Sequence, residues 1–491
     1  MNNTAFIHGL SVDIFLPKYD CRAFFFGRFA MFLLRQKAFC CIIALLDICS
    51  ERRGFVYKKP AKTAPMGWNS WDCFGAAVTE SSLIENADYM AKYLKRFGWE
   101  YVVCDIQWYE PQAKDNDYNN FYPLNMDEYG RLLPAENRFP SAAGGKGFKP
   151  IADYCHSLGL KFGIHIMRGV PRSAVHQNLP VKGSEFGCRD VAHHFSVCSW
   201  NTDMYGCKNC DAAQQYYNSI FQLYASWGVD FVKCDDICVT EFRKWDNPYS
   251  ADYEIEMIRN AINNCGREMV LSLSPGPAQV ENAAHLRQNA DMWRMTGDFW
   301  DSWQKLHDMF DKCLAWQSYV GRGSWPDCDM LPLGRLTKNA PYHGSQNRYT
   351  QFTKPEQLTM MSLWGIFRSP LMFGGNMPEN DEWTLSLLTN SEYLKMHRDS
   401  RNAHQHYRNE KNGVGTVVWV ANGKACKYLA LFNTANKQSC IKFDLSEILM
   451  PDKAYDLLDI WSGEVKKSLK NKVSSVVDPH GVRLYKITQS K

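Results

Sequence analysis

Several things are missing from this sequence, and each absence removes a class of function. After residue 60 no run is long and apolar enough to span a bilayer. Neither sign of charge is in excess: 56 Lys and Arg against 52 Asp and Glu leave +4 over 491 residues. That balance gives no footing for nucleic acid or an anionic membrane as a partner. No glycine-rich phosphate loop follows the first candidate strand, which disfavours a nucleotide-binding open sheet. Regular metal-ligand spacing is missing too. Cys207-x-x-Cys210, near Cys188, Cys198, His193 and His194, is the one cluster to weigh, and its irregular spacing reads as a local disulfide or as free thiols before zinc. Others of the 18 cysteines, such as Cys104 and Cys234, sit inside apolar runs, where a thiol acts as a small hydrophobe.

The length is that of two or three domains, and 45% hydrophobic with 22% charged residues is the composition of a globular chain. Aromatics reach 14%, with 16 Trp, which suits sugar rings and large cores alike. The first 60 residues stand apart. From Met31, Arg35 and Lys37 precede an apolar run, Ala38 to Leu46, that is too short to span a membrane but fits a signal-peptide core. Residues 1–60 are thus expected to be an N-terminal extension with a signal at 31–50, and the location secreted or periplasmic. A disordered tail is the alternative.

Further on, one cadence recurs. A helical stretch ends at Gly, one residue follows, and a short apolar strand begins, at Gly98, Gly159, Gly228 and Gly266. The strands are continuous apolar runs, the mark of burial on both faces. Eight are expected, at 65–71, 101–105, 161–166, 229–235, 269–274, 292–298, 325–331 and 371–375. Eight βα units close into a (β/α)8 TIM barrel over 61–397; an open doubly wound sheet is the alternative. From 398 to 491, short strands separated by turn residues predict a C-terminal antiparallel β-sandwich.

In such a barrel the site lies at the C-terminal strand ends. There stand Trp68 to Asp72, Asp105, His165 and Arg168, Lys233 with Asp235 and Asp236, Ser272 and Ser274, Arg294 with Asp298, and Asp327 with Asp329. Any one Asp there reads equally as a helix cap, and Asp301 and Asp329 are good candidates for capping or support. A ring spread over six strands is harder to explain so. Metal binding is weak, since only His165 is well placed. Lys233 has a Schiff-base reading, which would make a lyase. Glycoside hydrolysis needs one ionised carboxylate and one kept protonated. Lys233 favours the ionised form of Asp235, and the Phe299-Trp300 setting of Asp298 is expected to be apolar and to raise its pKa.

At these residues the sequence resembles a family. "APMGWNSWDCFG" at 64–75, "WGVDFVKCDD" at 227–236, "MWRMTGDFWDSW" at 292–303 and "WPDCDMLPLG" at 325–334 are similar, in order, to glycoside hydrolase family 27, the α-galactosidases (melibiases) and α-N-acetylgalactosaminidases. The resemblance implies a barrel followed by a β-sandwich, a retaining double displacement, and no cofactor or metal. It matches Asp235 to the nucleophile and Asp298 to the acid/base. It matches Lys233 and Arg294 to sugar-hydroxyl contacts, Trp71 to the aromatic floor, and Asp105 to the grip on the distal hydroxyls. A retaining pair stands roughly 5–5.5 Å apart.

Three positions depart from the pattern. Asp105 is followed by Ile106 where a second acid is common. His165 replaces a frequent Tyr. Ser274 stands where many α-galactosidases carry an acid that reads the sugar 2-substituent. The expected activity is hydrolysis of terminal α-linked galactose from a carbohydrate substrate. α-N-acetylgalactosaminides and β-L-arabinopyranosides are alternatives on the same scaffold. The remaining readings are the Lys233 lyase and a catalytically dead sugar-binding barrel.

Overall fold

The computed structural model describes residues 61–114, 118–119, 122–338, 347–451 and 453–490. The extension and signal-like segment expected over 1–60 lie outside the described residues. Every expected barrel strand is present: β1 (Met66–Asn69), β2 (Tyr101–Cys104), β3 (Lys161–Met167), β4 (Phe231–Asp235), β5 (Val270–Leu273), β6 (Met292–Arg294), β7 (Trp325–Asp327) and β8 (Leu371–Phe373). They form one sheet in the order β7-β6-β5-β4-β3-β2-β1-β8, with all neighbours parallel. The sheet closes beyond the end of β7, where the Leu331 N–H donates to Met372 O (2.8 Å) and the Gly374 N–H donates to Leu331 O (3.0 Å).

Helices follow the strands as the cadence predicts: α1 (Glu80–Tyr89), α2 (Lys149–Ser157), α3 (Asp211–Trp227), α4 (Asp252–Asn264), α5 (Ala283–Asn289), α6 (Trp303–Trp316), α7 (Lys354–Phe367) and α8 (Ser391–Asp399). Gly228 shows how the cadence works. At φ 85° its N–H closes back on Ala225 and Tyr224, and this left-handed turn delivers the chain straight into β4.

Residue parity along the strands decides what enters the barrel. On β4, Val232 and Cys234 join the layer beneath the helices, while Phe231 faces inward. Lys233 and Asp235 share that inward parity. The same split runs round the barrel. Tyr101, Phe231, Val270, Met292 and Trp325 fill its N-terminal end with apolar side chains. One or two inward positions further on come Asp105, Lys233, Ser272, Arg294 and Asp327, so the C-terminal end is polar. The described cysteines are all free thiols, and among the described residues no His, Cys, Asp and Glu cluster could hold a metal; Cys207 and Cys210 therefore form neither a disulfide nor a zinc site. No described helix is long and apolar enough to cross a membrane.

The C-terminal strands are β9 (Arg401–Lys411), β10 (Val414–Gly423), β11 (Cys426–Asn433), β12 (Ser439–Asp444), β13 (Tyr455–Asp459), β14 (Val465–Leu469), β15 (Lys472–Val477) and β16 (Val482–Gln489). They build a six-stranded antiparallel sheet, β9-β10-β11-β16-β13-β14, and a two-stranded partner, β12-β15, around a core that includes Val418, Leu429, Phe443 and Leu457. This unit packs against α6 and α7. His480 stacks on Trp303 with ring centroids 3.7 Å apart, and Trp461 Nε1 donates to Ser362 Oγ (2.8 Å).

One buried ion pair ties α4 to the N-terminal ends of β5 and β6. Arg259 of α4 donates to Asp291 Oδ2 (2.7 Å) and to Asn289 O (2.7 Å), and the same Asp291 oxygen accepts the Leu271 N–H of β5 (3.0 Å). Removing the cation leaves a buried carboxylate uncompensated. Arg259→Met is expected to cost about 3–5 kcal/mol in urea unfolding; a loss below about 1 kcal/mol would show that the pair does not anchor these elements.

Candidate active site

Two anions share one buried cation at the centre of the polar end. Lys233 Nζ donates to Asp105 Oδ2 (2.8 Å) and lies 3.9 Å from Asp235 Oδ2. Asp105 also accepts from Asn69 Nδ2 (2.7 Å) and from the Ile106 N–H (2.9 Å). Burial pushes the Asp105 carboxyl up, but the charges of Lys233 and His165 and the donors on it hold it below the usual range. Burial works to neutralise Lys233; Asp105 and Asp235 outweigh it and hold the ammonium charged. A lysine so held is a poor Schiff-base nucleophile, and the lyase reading loses its footing.

Asp235 closes β4 with each oxygen taken. His165 Nε2 donates to Oδ2 (2.9 Å) and Ser274 Oγ donates to Oδ1 (2.6 Å). Burial raises its pKa, but Lys233, then His165 and Ser274, bring it far below the ordinary value. His165 and Ser274 are fully buried and stand behind Asp235, away from the pocket wall. Both were expected to contact substrate; in the structure both side chains are engaged on Asp235. β3 runs beside β4 with His165 opposite Lys233, so the imidazole meets Asp235, and the Ser274 hydroxyl is committed to the same carboxylate. The adjacent Asp236 turns away with φ 54° and pairs with Arg168 (3.0 Å); burial, opposed by Arg168, raises its pKa to about 6.

Asp298 lies beyond β6. Its side chain is 55% exposed and accepts from Arg294 Nη2 (2.9 Å). The apolar setting expected for it is absent: Phe299 and Trp300 are buried in the pocket wall, while the Asp298 carboxylate is exposed and held by an arginine. Arg294 also pairs with Asp329 (3.1 Å), whose other oxygen accepts the Phe299 N–H (2.7 Å), so Asp329 is a support as expected. Asp301 is another, held by both Arg348 nitrogens (2.6 and 2.9 Å).

These groups line a pocket of about 140 Å³. Asp105, Lys233, Asp235, Arg294 and Asp298 form its polar side, and Trp71, Tyr118, Trp200 and Trp300 its aromatic side. Tyr118 stacks on Trp71, with ring centroids 6.2 Å apart and planes at 15°, and leans on Trp200 at 5.7 Å. Trp71, Asp105, Lys233, Asp235, Arg294 and Asp298 are thus brought together as expected. Sequence reasoning missed Tyr118, Trp200 and Ile106 as wall residues. Tyr118 and Trp200 sit deep in long excursions after β2 and β3, where no strand end marks them.

Residues 200–399 match the sequence profile described as alpha galactosidase A, and residues 414–487 match the alpha galactosidase C-terminal beta sandwich domain. Among solved structures, a GH27 β-L-arabinopyranosidase from Geobacillus stearothermophilus is 54% identical with a TM-score of 0.84, over 87% of this chain and 97% of that one. α-Galactosidase I from Mortierella vinacea, 20% identical with a TM-score of 0.67 over 88% of this chain and 98% of that one, shares the fold. Alpha-galactosidase 2 of Arabidopsis thaliana is 27% identical over 466 residues, 94% of this chain and 98% of that one.

Asp327, deep beside Asp329, offers a pH test. Burial, then Asp329, raises its pKa to about 7, against about 3.9 for the unfolded chain. The folded state therefore holds a proton that the unfolded chain has released, and this contribution to stability is lost as pH rises from about 4 to about 7. Asp327→Asn removes the loss. Urea unfolding should show the variant gaining on the parent by more than about 1 kcal/mol across that window; a constant difference between the two would refute the assignment.

Proposed function

The chain belongs to glycoside hydrolase family 27, and from that premise we propose a retaining exo-glycosidase that acts on terminal galactose-configured pyranosides, with β-L-arabinopyranosides as its best substrates. Asp235 is the nucleophile in this reading. Its ionised form is favoured by Lys233, His165 and Ser274, and it closes a strand whose end opens into the pocket. It attacks the anomeric carbon, the glycosidic oxygen takes a proton from Asp298, and a glycosyl ester forms on Asp235. Asp298 then takes a proton from water, and the resulting hydroxide displaces the sugar with net retention. Exposure suits Asp298 to this task, since it must exchange a proton with solvent in every cycle. Trp71 supports the apolar face of the ring, while Asp105, Lys233 and Arg294 receive its hydroxyls.

Ile106 carries the choice of sugar. It lines the pocket next to Asp105, where a second carboxylate would grip a hydroxymethyl group. Its hydrocarbon offers no partner to a 6-hydroxyl, and burying that hydroxyl unpaired costs about 1–3 kcal/mol. β-L-Arabinopyranose has galactose's ring stereochemistry without C6 and avoids the cost. α-Galactosides are the second substrate class, favoured by the relatives named α-galactosidase. Ser274 supports neither an acetamido pocket nor a 2-hydroxyl contact, because its hydroxyl is engaged with Asp235. Export from the cytoplasm belongs to the same proposal and is supported by the charged-then-apolar segment from Met31.

The test is hydrolysis of the nitrophenyl β-L-arabinopyranoside, α-galactoside and α-N-acetylgalactosaminide by purified protein. The expected order of kcat/KM follows that sequence. A faster α-galactoside would overturn the role of Ile106 and leave the family mechanism standing. Asp235→Asn should lose at least about 10⁴-fold in kcat on all three. Ile106→Asp should move the preference toward the α-galactoside by about 10-fold or more, chiefly through KM; an unmoved ratio would place the choice elsewhere.

A further inference from the structure

A second cavity of about 290 Å³ lies beside the catalytic pocket, at the outer end of β3 and β4. One wall is the antiparallel hairpin sheet of the excursion after β3, and the other is the loop between β4 and α4. Its floor is the Arg168 guanidinium, itself 3% exposed, which pairs with Asp236 (3.0 Å) and Glu254 (2.9 Å) and donates to Ser196 Oγ (2.9 Å). Asn209, Asn247 and Tyr253 add polar wall. The Nδ1 atom of His193 is buried with no hydrogen-bond partner among the described residues.

The rim is aromatic. Phe195 and His193 lie two apart on one strand with rings 6.4 Å apart, and Phe242 packs on His193 at 5.1 Å. Phe195 is 82% exposed and Trp245 94%, the two most exposed large hydrophobic side chains among the described residues. Trp245 stands at the tip of a turn fixed by the Arg243–Asp246 pair (2.6 Å) and the Asn247 N–H donating to Arg243 O (2.9 Å). Exposed apolar surface beside a concave, polar-lined cavity marks a binding site.

Charge decides the class of ligand. Arg168 and Glu254 are spent on each other and on Asp236, and Arg243 is spent on Asp246. Among the described residues lining the cavity, each charged side chain has a partner of opposite sign, so none stands alone to hold an anion or a cation. Amide and imidazole groups for hydroxyls, with aromatic faces for C–H surfaces, suit a neutral polyhydroxylated ring. We propose that this cavity and its rim form a second carbohydrate-binding site, which takes neutral sugar rings of the glycan that carries the scissile residue. The inference rests on the chain being a glycoside hydrolase, not on which sugar fills the catalytic pocket.

The probe is arabinogalactan, used as polymer in affinity gels and as substrate. In the full chain, Phe195→Ala/Trp245→Ala should lose about tenfold in affinity for the polymer. KM on the polymer should rise to match, while kcat/KM on the nitrophenyl glycosides stays within about twofold. Trp245→Phe should restore most of the retention. Gels run with the Asp235→Asn chain read the site even if the parent hydrolyses none of the glycosides, so the two readings fail separately. Unchanged retention of the double variant would overturn the proposal. So would light scattering that shows a parent multimer falling apart in the variant with retention intact, because the rim would then be a contact between copies of the chain.

Discussion

Everything at the polar end of the barrel depends on the Lys233 ammonium. It lies between Asp105 and Asp235, and two buried carboxylates so near each other would otherwise repel and protonate. With the cation in place both stay ionised, and the cation itself stays charged. The arrangement yields an anion that is desolvated yet stable, which a carboxylate nucleophile requires. His165 and Ser274 complete it by taking the remaining lone pairs, and neither reaches the pocket.

The barrel affords this cluster because its two ends differ. Alternate residues of each strand point inward, so β2, β4, β5, β6 and β7 each contribute an apolar side chain at the N-terminal end and a polar one above it. Hydrophobic burial beneath supports the layer of charge, and the charges are matched in sign around the ring. Arg294 repeats the logic of Lys233 on the other side, serving Asp298 and Asp329. Asp235 and Asp298 thus have separate cations and separate exposures. One is locked among donors, and the other is open to solvent.

Asp236 shows how narrow the margin is. It neighbours Asp235 in sequence, yet the left-handed turn at φ 54° sends it outward to Arg168 and to the Glu241 N–H. One carboxylate serves the catalytic pocket. The next pairs with Arg168, which lines the second cavity, and accepts the Glu241 N–H of the loop beyond β4.

Much of this was legible in the sequence. Glycine caps at Gly98, Gly159, Gly228 and Gly266 located four of the eight strands, and short apolar runs the other four, because a parallel barrel buries both strand faces. The polar residues that end those runs gave Asp105, Lys233, Asp235, Arg294 and Asp298, since a buried segment ending in charge has to put that charge to use. Side-chain partnership was decided only in three dimensions. His165 and Ser274 read as substrate contacts and became supports for Asp235, because strand register aims them at its carboxylate. The setting of Asp298 read as apolar from its neighbours Phe299 and Trp300, yet those side chains are buried in the pocket wall while Asp298 stands exposed against Arg294. Tyr118 and Trp200 carried no local signal at all. Long excursions bring them over Trp71, and nothing in the order of residues along the chain sets where such excursions come to rest.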